Sequence, residues 1–374
     1  MHKSSMIKLI KPNISRLDIE AVNRVLESGM LVNGPMVEKF ERLLAGYLDV
    51  PYAACVSSGT AALHLALLAS DIKTGDEVIV PALTFPATAN AVEMIGAVPV
   101  FIDCTENGVN LDVNLIESKI SSRTRGIMPV HGFGMPAQMD IIAGIARKHN
   151  LVVIEDAACA LGSSYDDKKC GSFGDLAAFS FHPRKLLTTG EGGAIATFDK
   201  ITAERIKSLR NHGWEKGEYA NLGYNYRMTD IQAALGINQI EEYDLFITKR
   251  KTLAEKYWDA LRGLDWLQPL IPDDRSDWNV QTLLCRVDDS IVLDELITFL
   301  RANQVETTIG TYCVPLTKYY RVKYGYSQDE FPNAARMYRQ AISLPLWNEI
   351  SDTEISKVVA SLREFESRKM KVNV

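Results

Sequence analysis

Between residues 50 and 200 the chain alternates short apolar runs with amphipathic segments, and no other feature narrows its possible folds as much. The apolar runs cover 52–56, 77–80, 98–102, 126–130, 151–155, 177–181 and 194–197, each the length of a strand. Helix-like stretches separate them at 60–69, 86–95, 112–120 and 138–149, and another follows at 200–211. Two strand cores, Val78-Ile79-Val80 and Val152-Val153-Ile154, are apolar without a break, as a strand buried on both faces should be. Strands alternating with helices at this spacing predict βαβ units and a mostly parallel sheet flanked by helices. The fold class is therefore α/β.

A chain of 374 residues has length for two domains. Helices expected at 16–28 and 34–48 pack back on the large domain. A long, broken helical stretch at 228–261 bridges to a second region. There a strand at 281–287 and helices at 291–302 and 352–367 predict a smaller C-terminal α+β domain. The expected division is 1–245 for the large domain and 246–374 for the small one. Local signals support the elements: Asp112 can cap a helix, Ser57 and Ser58 precede the glycine that opens another, and Thr74-Gly75-Asp76 is a turn.

A formal net charge of −6 gives no electrostatic case for nucleic acid or an anionic membrane as partner. Lys3, Lys8 and Lys11 are not followed by the uninterrupted apolar stretch of a signal peptide. No apolar run approaches the roughly 20 residues that span a bilayer. Cysteines 55, 104, 159, 170, 285 and 313 show no paired CxxC spacing and read as reduced thiols, mostly core filler, so the expected location is the cytoplasm. The histidines are equally scattered, and no metal site is expected.

In an open α/β sheet, ligands collect beyond the carboxyl ends of the strands. Residues 57–60, Thr84-Phe85, His131, Asp156 and residues 180–185 all fall there. Lys185 closes the run Phe179-Ser180-Phe181-His182-Pro183-Arg184-Lys185, ahead of Gly190-Glu191-Gly192-Gly193. A lysine between a strand and a Gly-rich turn serves as neither cap nor turn former. Ser57-Ser58-Gly59-Thr60 runs from a strand into a helix, where free N–H groups, the helix dipole and a hydroxyl suit a phosphate. Alone it reads equally as an ordinary capped helix. Asp156 could keep a pyridine nitrogen protonated, or merely cap a strand end. Phe85 could stack on a flat ring, although singly it reads as core. Ser180 could reach the same phosphate. Together these residues are what pyridoxal phosphate needs, held as a Schiff base on Lys185, whose freed amine would then move a proton at the substrate α-carbon. His131, His182 and His212 read as readily as structural histidines.

Nearly the whole chain resembles the DegT/DnrJ/EryC1/StrS family, sugar aminotransferases of aspartate-aminotransferase fold type I that depend on pyridoxal phosphate. The stretches that carry the resemblance are Ser28-Gly29 with Gly34-Pro35, residues 56–63, 81–91 (PALTFPATANA), 154–162 (IEDAACALG), 171–193 (GSFGDLAAFSFHPRKLLTTGEGG) and 223–231 (GYNYRMTDI). The resemblance implies Lys185 as the Schiff-base lysine, Asp156 as the pyridinium partner and Phe85 as the ring-stacking aromatic. Gly59, Thr60 and Ser180 match phosphate-holding positions. Asn225 matches a residue given to the phosphate of the neighbouring subunit, which implies a homodimer with shared active sites. Two departures stand out. Cys159 occupies a cofactor-contacting position that often holds Gln or His, and Gly310-Thr311-Tyr312-Cys313-Val314-Pro315 lacks two histidines common in the family.

The implied activity takes an amino group from L-glutamate and places it on a keto sugar linked to a nucleoside diphosphate, a 3- or 4-keto-6-deoxyhexose, in two ping-pong halves. A transaminase of a cyclitol or other free ketone shares these motifs. A sugar dehydratase of the same fold replaces the lysine by histidine, so Lys185 argues against it. A non-catalytic regulator is argued against by the intact set of Lys185, Asp156, Ser180, Gly59 and Thr60.

Overall fold

The computed structural model describes residues 6–372, so Lys3 lies outside it. Seven strands form the central sheet: β1 (Tyr52–Val56), β2 (Glu77–Pro81), β3 (Val98–Ile102), β4 (Thr124–Ile127), β5 (Val152–Asp156), β6 (Leu176–Ser180) and β7 (Gly193–Thr197). Their order is β1-β7-β6-β5-β4-β2-β3. All pairs from β6 to β3 are parallel, while β7 runs antiparallel to both its neighbours.

The first eight helices are α1 (Arg16–Ser28), α2 (Pro35–Leu48), α3 (Gly59–Ala69), α4 (Pro86–Met94), α5 (Met139–His149), α6 (Lys200–Leu209), α7 (Asp230–Glu241) and α8 (Tyr243–Leu261). Alternation along the strands explains their unbroken apolar cores. Val78, Val80 and Ile154 enter the core around α3 and α4, while Ile79 and Val153 enter a separate one under α5. A third core joins Phe40 and Leu44 of α2 to Cys55, Phe179 and Ala194.

Two expected elements differ. The helix expected at 112–120 is a pair of 3₁₀ turns, Val113–Leu115 and Glu117–Lys119. Val113 and Ile116 are the buried anchors, and their three-residue spacing suits the tighter helix. Asp112 does cap the first turn, accepting the Asn114 N–H at 3.0 Å. The strand expected at 126–130 sits earlier, at Thr124–Ile127, and ends before Pro129, which has no N–H for a ladder.

The stretch expected at 228–261 breaks at Glu242, between α7 and α8. Beyond it, β8 (Leu267–Pro269), β9 (Leu283–Val287), β10 (Thr308–Ile309) and β11 (Ala341–Leu344) form an antiparallel sheet in the order β8-β9-β11-β10. Around it stand α9 (Leu293–Ala302), α10 (Lys318–Tyr324), α11 (Pro332–Gln340) and α12 (Asp352–Val372). Among the described residues no helix is long and apolar enough to cross a membrane.

The motifs at 28–35 and 223–231 meet in space. Asp230 opens α7, and its Oδ1 accepts the Val37 N–H at 3.0 Å, satisfying a donor in the first turn of α2. A Cβ on Gly34 would collide with the same carboxylate, so only glycine fits there. Glu41 of α2 is buried against Arg210, and both bond the backbone of Cys55 in β1.

Candidate active site

The carboxyl ends of β1, β2, β5 and β6 share one edge of the central sheet. Because β7 runs the other way, its first residue joins them there. Val56 ends β1, and Ser58 caps α3 by accepting the Ala61 N–H at 3.1 Å. The N–H groups of Gly59 and Thr60 find no acceptor among the described residues. A Cβ on Gly59 would stand 2.8 Å from Cβ of Ser180, so the first turn of α3 lies against the end of β6. A Cβ on Gly193 would stand 2.5 Å from the Ser58 carbonyl oxygen.

At the end of β5, Glu155 and Asp156 face opposite sides. Glu155 is fully buried and accepts the N–H groups of Gly171 (2.8 Å), Phe173 (2.7 Å) and Gly174 (2.7 Å). His131 Nε2 lies 2.9 Å from the same carboxylate, and its Nδ1 accepts the Ala137 N–H at 3.0 Å. Burial disfavours the imidazolium, yet Cys170 and Glu155 together lift its pKa above the ordinary value; the hydrogen-bond geometry decides the other way. An N–H aimed at Nδ1 needs a lone pair there, so we assign the neutral ring with its proton on Nε2. His131 is thus a structural histidine.

Asp156 is only 5% exposed. It accepts the Thr88 hydroxyl at 2.8 Å and the Ala158 N–H at 3.2 Å, and Thr88 in turn contacts Thr84 at 2.9 Å. Burial raises its pKa above the ordinary carboxylate value, against the opposing pull of Thr88, Ala158 and Lys185. A buried carboxylate with no cation hydrogen-bonded to it is suited to a protonated ring nitrogen. Sequence reading missed Thr84 and Thr88 as supports.

Lys185 lies half-buried in the loop from β6 to β7, and its Nζ donates to Cys159 Sγ at 2.9 Å. The departure at Cys159 is therefore the partner of the lysine amine. Gly190 adopts φ +83°, and the Phe181 N–H reaches the Gly192 carbonyl at 2.9 Å, closing the expected glycine turn. His182 is half-buried, burial lowers its pKa, and its Nδ1 accepts the Arg184 N–H at 3.2 Å. His212 is exposed.

Phe85 is 64% exposed, which sets aside the core reading, and its ring lies 6.4 Å from that of Tyr312. Tyr312 is placed there by backbone pairing with Thr84. Asn225 is exposed between Tyr224 and Tyr226, whose stacked rings both turn toward His64 of α3. Its neighbours anchor the segment, since Ser57 donates its N–H to the Tyr226 carbonyl at 2.8 Å. His64, buried on α3, is a further residue that sequence reading missed.

A sequence model of the DegT/DnrJ/EryC1/StrS aminotransferase family matches residues 12–363. The chain belongs to that family. Among its relatives is the GDP-perosamine synthase of Escherichia coli O157:H7, 37% identical over 367 residues that cover 97% of this chain and 99% of that one. Among solved structures, the putative sugar aminotransferase Spr1654 of Streptococcus pneumoniae in its PMP form superposes with a TM-score of 0.93 at 27% identity, covering 98% of this chain and 99% of the other. DesV of S. venezuelae superposes with a TM-score of 0.90 at 33% identity, covering 97% and 99%. This DegT/DnrJ/EryC1/StrS aminotransferase depends on pyridoxal phosphate. Its residues fit that cofactor: two unbonded N–H groups at a glycine that admits no side chain, a buried carboxylate, an exposed aromatic and a primary amine share one sheet edge.

Proposed function

We propose that the enzyme transfers the amino group of L-glutamate to a keto sugar carried on a nucleoside diphosphate, a 3- or 4-keto-6-deoxyhexose. The observation that carries this reading is the Lys185 amine held on Cys159, beside the edge where Asp156 lies buried. The name of the E. coli relative, a synthase of a nucleotide-linked amino sugar, supports the acceptor class.

Pyridoxal phosphate, when bound, supplies a carbon that receives the amino group and a ring that draws electrons from the substrate α-carbon. Gly59, Thr60 and Ser180 would hold its phosphate, and Phe85 would cover the ring. Asp156 would keep a proton on the ring nitrogen by charge and hydrogen bonding. With the cofactor bound, Lys185 Nζ would take the proton from the donor's α-carbon and return it two atoms away, on the far side of the nitrogen, and Cys159 orients that amine in the free chain. In each half-reaction the same lysine serves as base and then as acid.

Asn225 completes the phosphate site of a neighbouring subunit, so the active form is a homodimer with shared sites. In support, the hairpin from Trp214 to Tyr219 beside Asn225 leaves Trp214, Tyr219 and Leu222 exposed, and a second copy would cover them. We read the large domain as 1–245, the small one as 246–374, and the cytoplasm as the location.

Absorbance of the purified protein with pyridoxal phosphate tests the core of this reading. A visible band from lysine-bound cofactor is expected, bleaching when L-glutamate is titrated in, and Lys185→Ala is expected to lack it. A band indifferent to glutamate would remove glutamate as donor. A normal band and turnover in Lys185→Ala would remove Lys185 from its role.

A further inference from the structure

Asn279, Val280 and Gln281 lead into β9 of the C-terminal sheet, and all three are buried. The Gln281 side chain bonds the backbone on both sides of Lys185. Its Oε1 accepts the Leu186 N–H at 3.1 Å, and its Nε2 donates to the Arg184 carbonyl at 2.7 Å. One amide thus pairs with the lysine loop much as a neighbouring strand would. Asn279 acts two residues earlier: its Nδ2 donates to the carbonyls of Cys159 and Leu161, both at 2.9 Å. Its Oδ1 accepts the Gln281 backbone N–H at 2.9 Å, which ties the Asn279 amide to the backbone that carries Gln281.

Val280 between them has φ +49°. A β-branched residue in the left-handed region is an outlier that persists only where its surroundings dictate it. Here both flanking side chains are tied down, one to the backbone that carries Lys185 and one to the backbone that carries Cys159. Those are the two ends of the 2.9 Å contact from Lys185 Nζ to Cys159 Sγ.

We propose that Gln281 and Asn279 are positioning residues that fix where the Lys185 amine stands, coupling the lysine loop to the C-terminal sheet. This rests on the reading of Lys185 as the reacting lysine. Neither side chain needs to touch substrate or cofactor to act in this way.

The test uses the holoenzyme carrying Gln281→Ala, with Gln281→Glu beside it. The glutamate variant keeps an acceptor for the Leu186 N–H and loses the donor to Arg184. Two quantities are read: hydrogen exchange of the peptide containing Leu186, and the rate of band loss at saturating L-glutamate in a single turnover. Gln281→Ala is expected to speed Leu186 exchange while peptides of α5 keep wild-type protection. Its rate is expected to fall on the order of ten- to a hundredfold, as small misplacements of reacting groups do, with little change in the half-saturating glutamate concentration. Gln281→Glu should fall between, with Leu186 still protected. Wild-type exchange and rate in Gln281→Ala would overturn the proposal, as would protection lost evenly along the chain. If Gln281→Ala does not fold, a wild-type rate in Gln281→Glu overturns it and a lowered rate supports it. Failure of the transfer reading would show separately, as a wild-type band that glutamate leaves unchanged, and Leu186 exchange would then decide the positioning claim by itself.

Discussion

Glu155 and Asp156 are adjacent carboxylates with opposite surroundings. Three amide N–H groups and His131 satisfy Glu155, so its charge belongs to the fold. Among the described residues Asp156 has two donors and no bonded cation, and burial raises its pKa. A carboxyl raised in the folded state is penalised as an anion: the penalty is absent below its unfolded value, about 3.9, and full above its folded one. Asp156→Asn removes that penalty. In the cofactor-free protein this variant is expected to melt above wild type near neutral pH, with the gap closing as acid protonates Asp156. Thermal unfolding across pH checks it, and a lower melting temperature for the variant at pH 7 would contradict the assignment. Asp156 was legible in the sequence as a strand-end acid. Thr88 was not, because nothing local marks which face of α4 turns toward β5. Phe85 read singly as core because exposure is a tertiary property, and the family motif was what pointed to a ring partner.

The start of α3 has almost no room at its contact with β6. A Cβ at position 59 would stand 2.8 Å from that of Ser180, so Gly59→Ala must lift the first turn or push Ser180 aside. Overpacking of this kind costs about 1–3 kcal/mol. Since it falls on the proposed phosphate site, weaker cofactor binding is expected, roughly ten- to a hundredfold in Kd. Fluorescence titration with pyridoxal phosphate measures it, and unchanged affinity would place the phosphate elsewhere. The central strands were legible because unbroken apolar runs between helices have one economical arrangement. The 3₁₀ turns after Asp112 were not, since a spacing of three or four between buried residues separates the two helix types only once the core is known. The direction of β7 was recoverable: residues 181–192 contain no helix, so no crossover could return the chain in parallel.

At the scale of the molecule, the Asn225 reading makes each site the work of two chains. Lys185→Ala and Asn225→Ala would each be impaired alone. Mixed by co-refolding or co-expression, half of the dimers would pair one variant with the other, and one of their two sites would be intact. About a quarter of wild-type activity is then expected to return. No recovery would mean that Lys185 and Asn225 serve the same chain. Only the motif resemblance exposed this role, because a residue that faces another copy has no signal in the pattern of its own chain. Likewise, the reach of Gln281 to the lysine loop crosses 95 positions of sequence and lay hidden inside what read as the start of a strand.

The pairing of β1 with β7, Tyr52 against Thr197, also bears on the site. The turn at Ser58 and Gly59 meets Gly193 where the first strand of the sheet docks on the last, while α3 packs on β6 beside Ser180. The wall that Gly193 gives to the phosphate turn therefore comes from a segment far from that turn in sequence, and any substitution that loosens the β1–β7 pairing reaches the site as well.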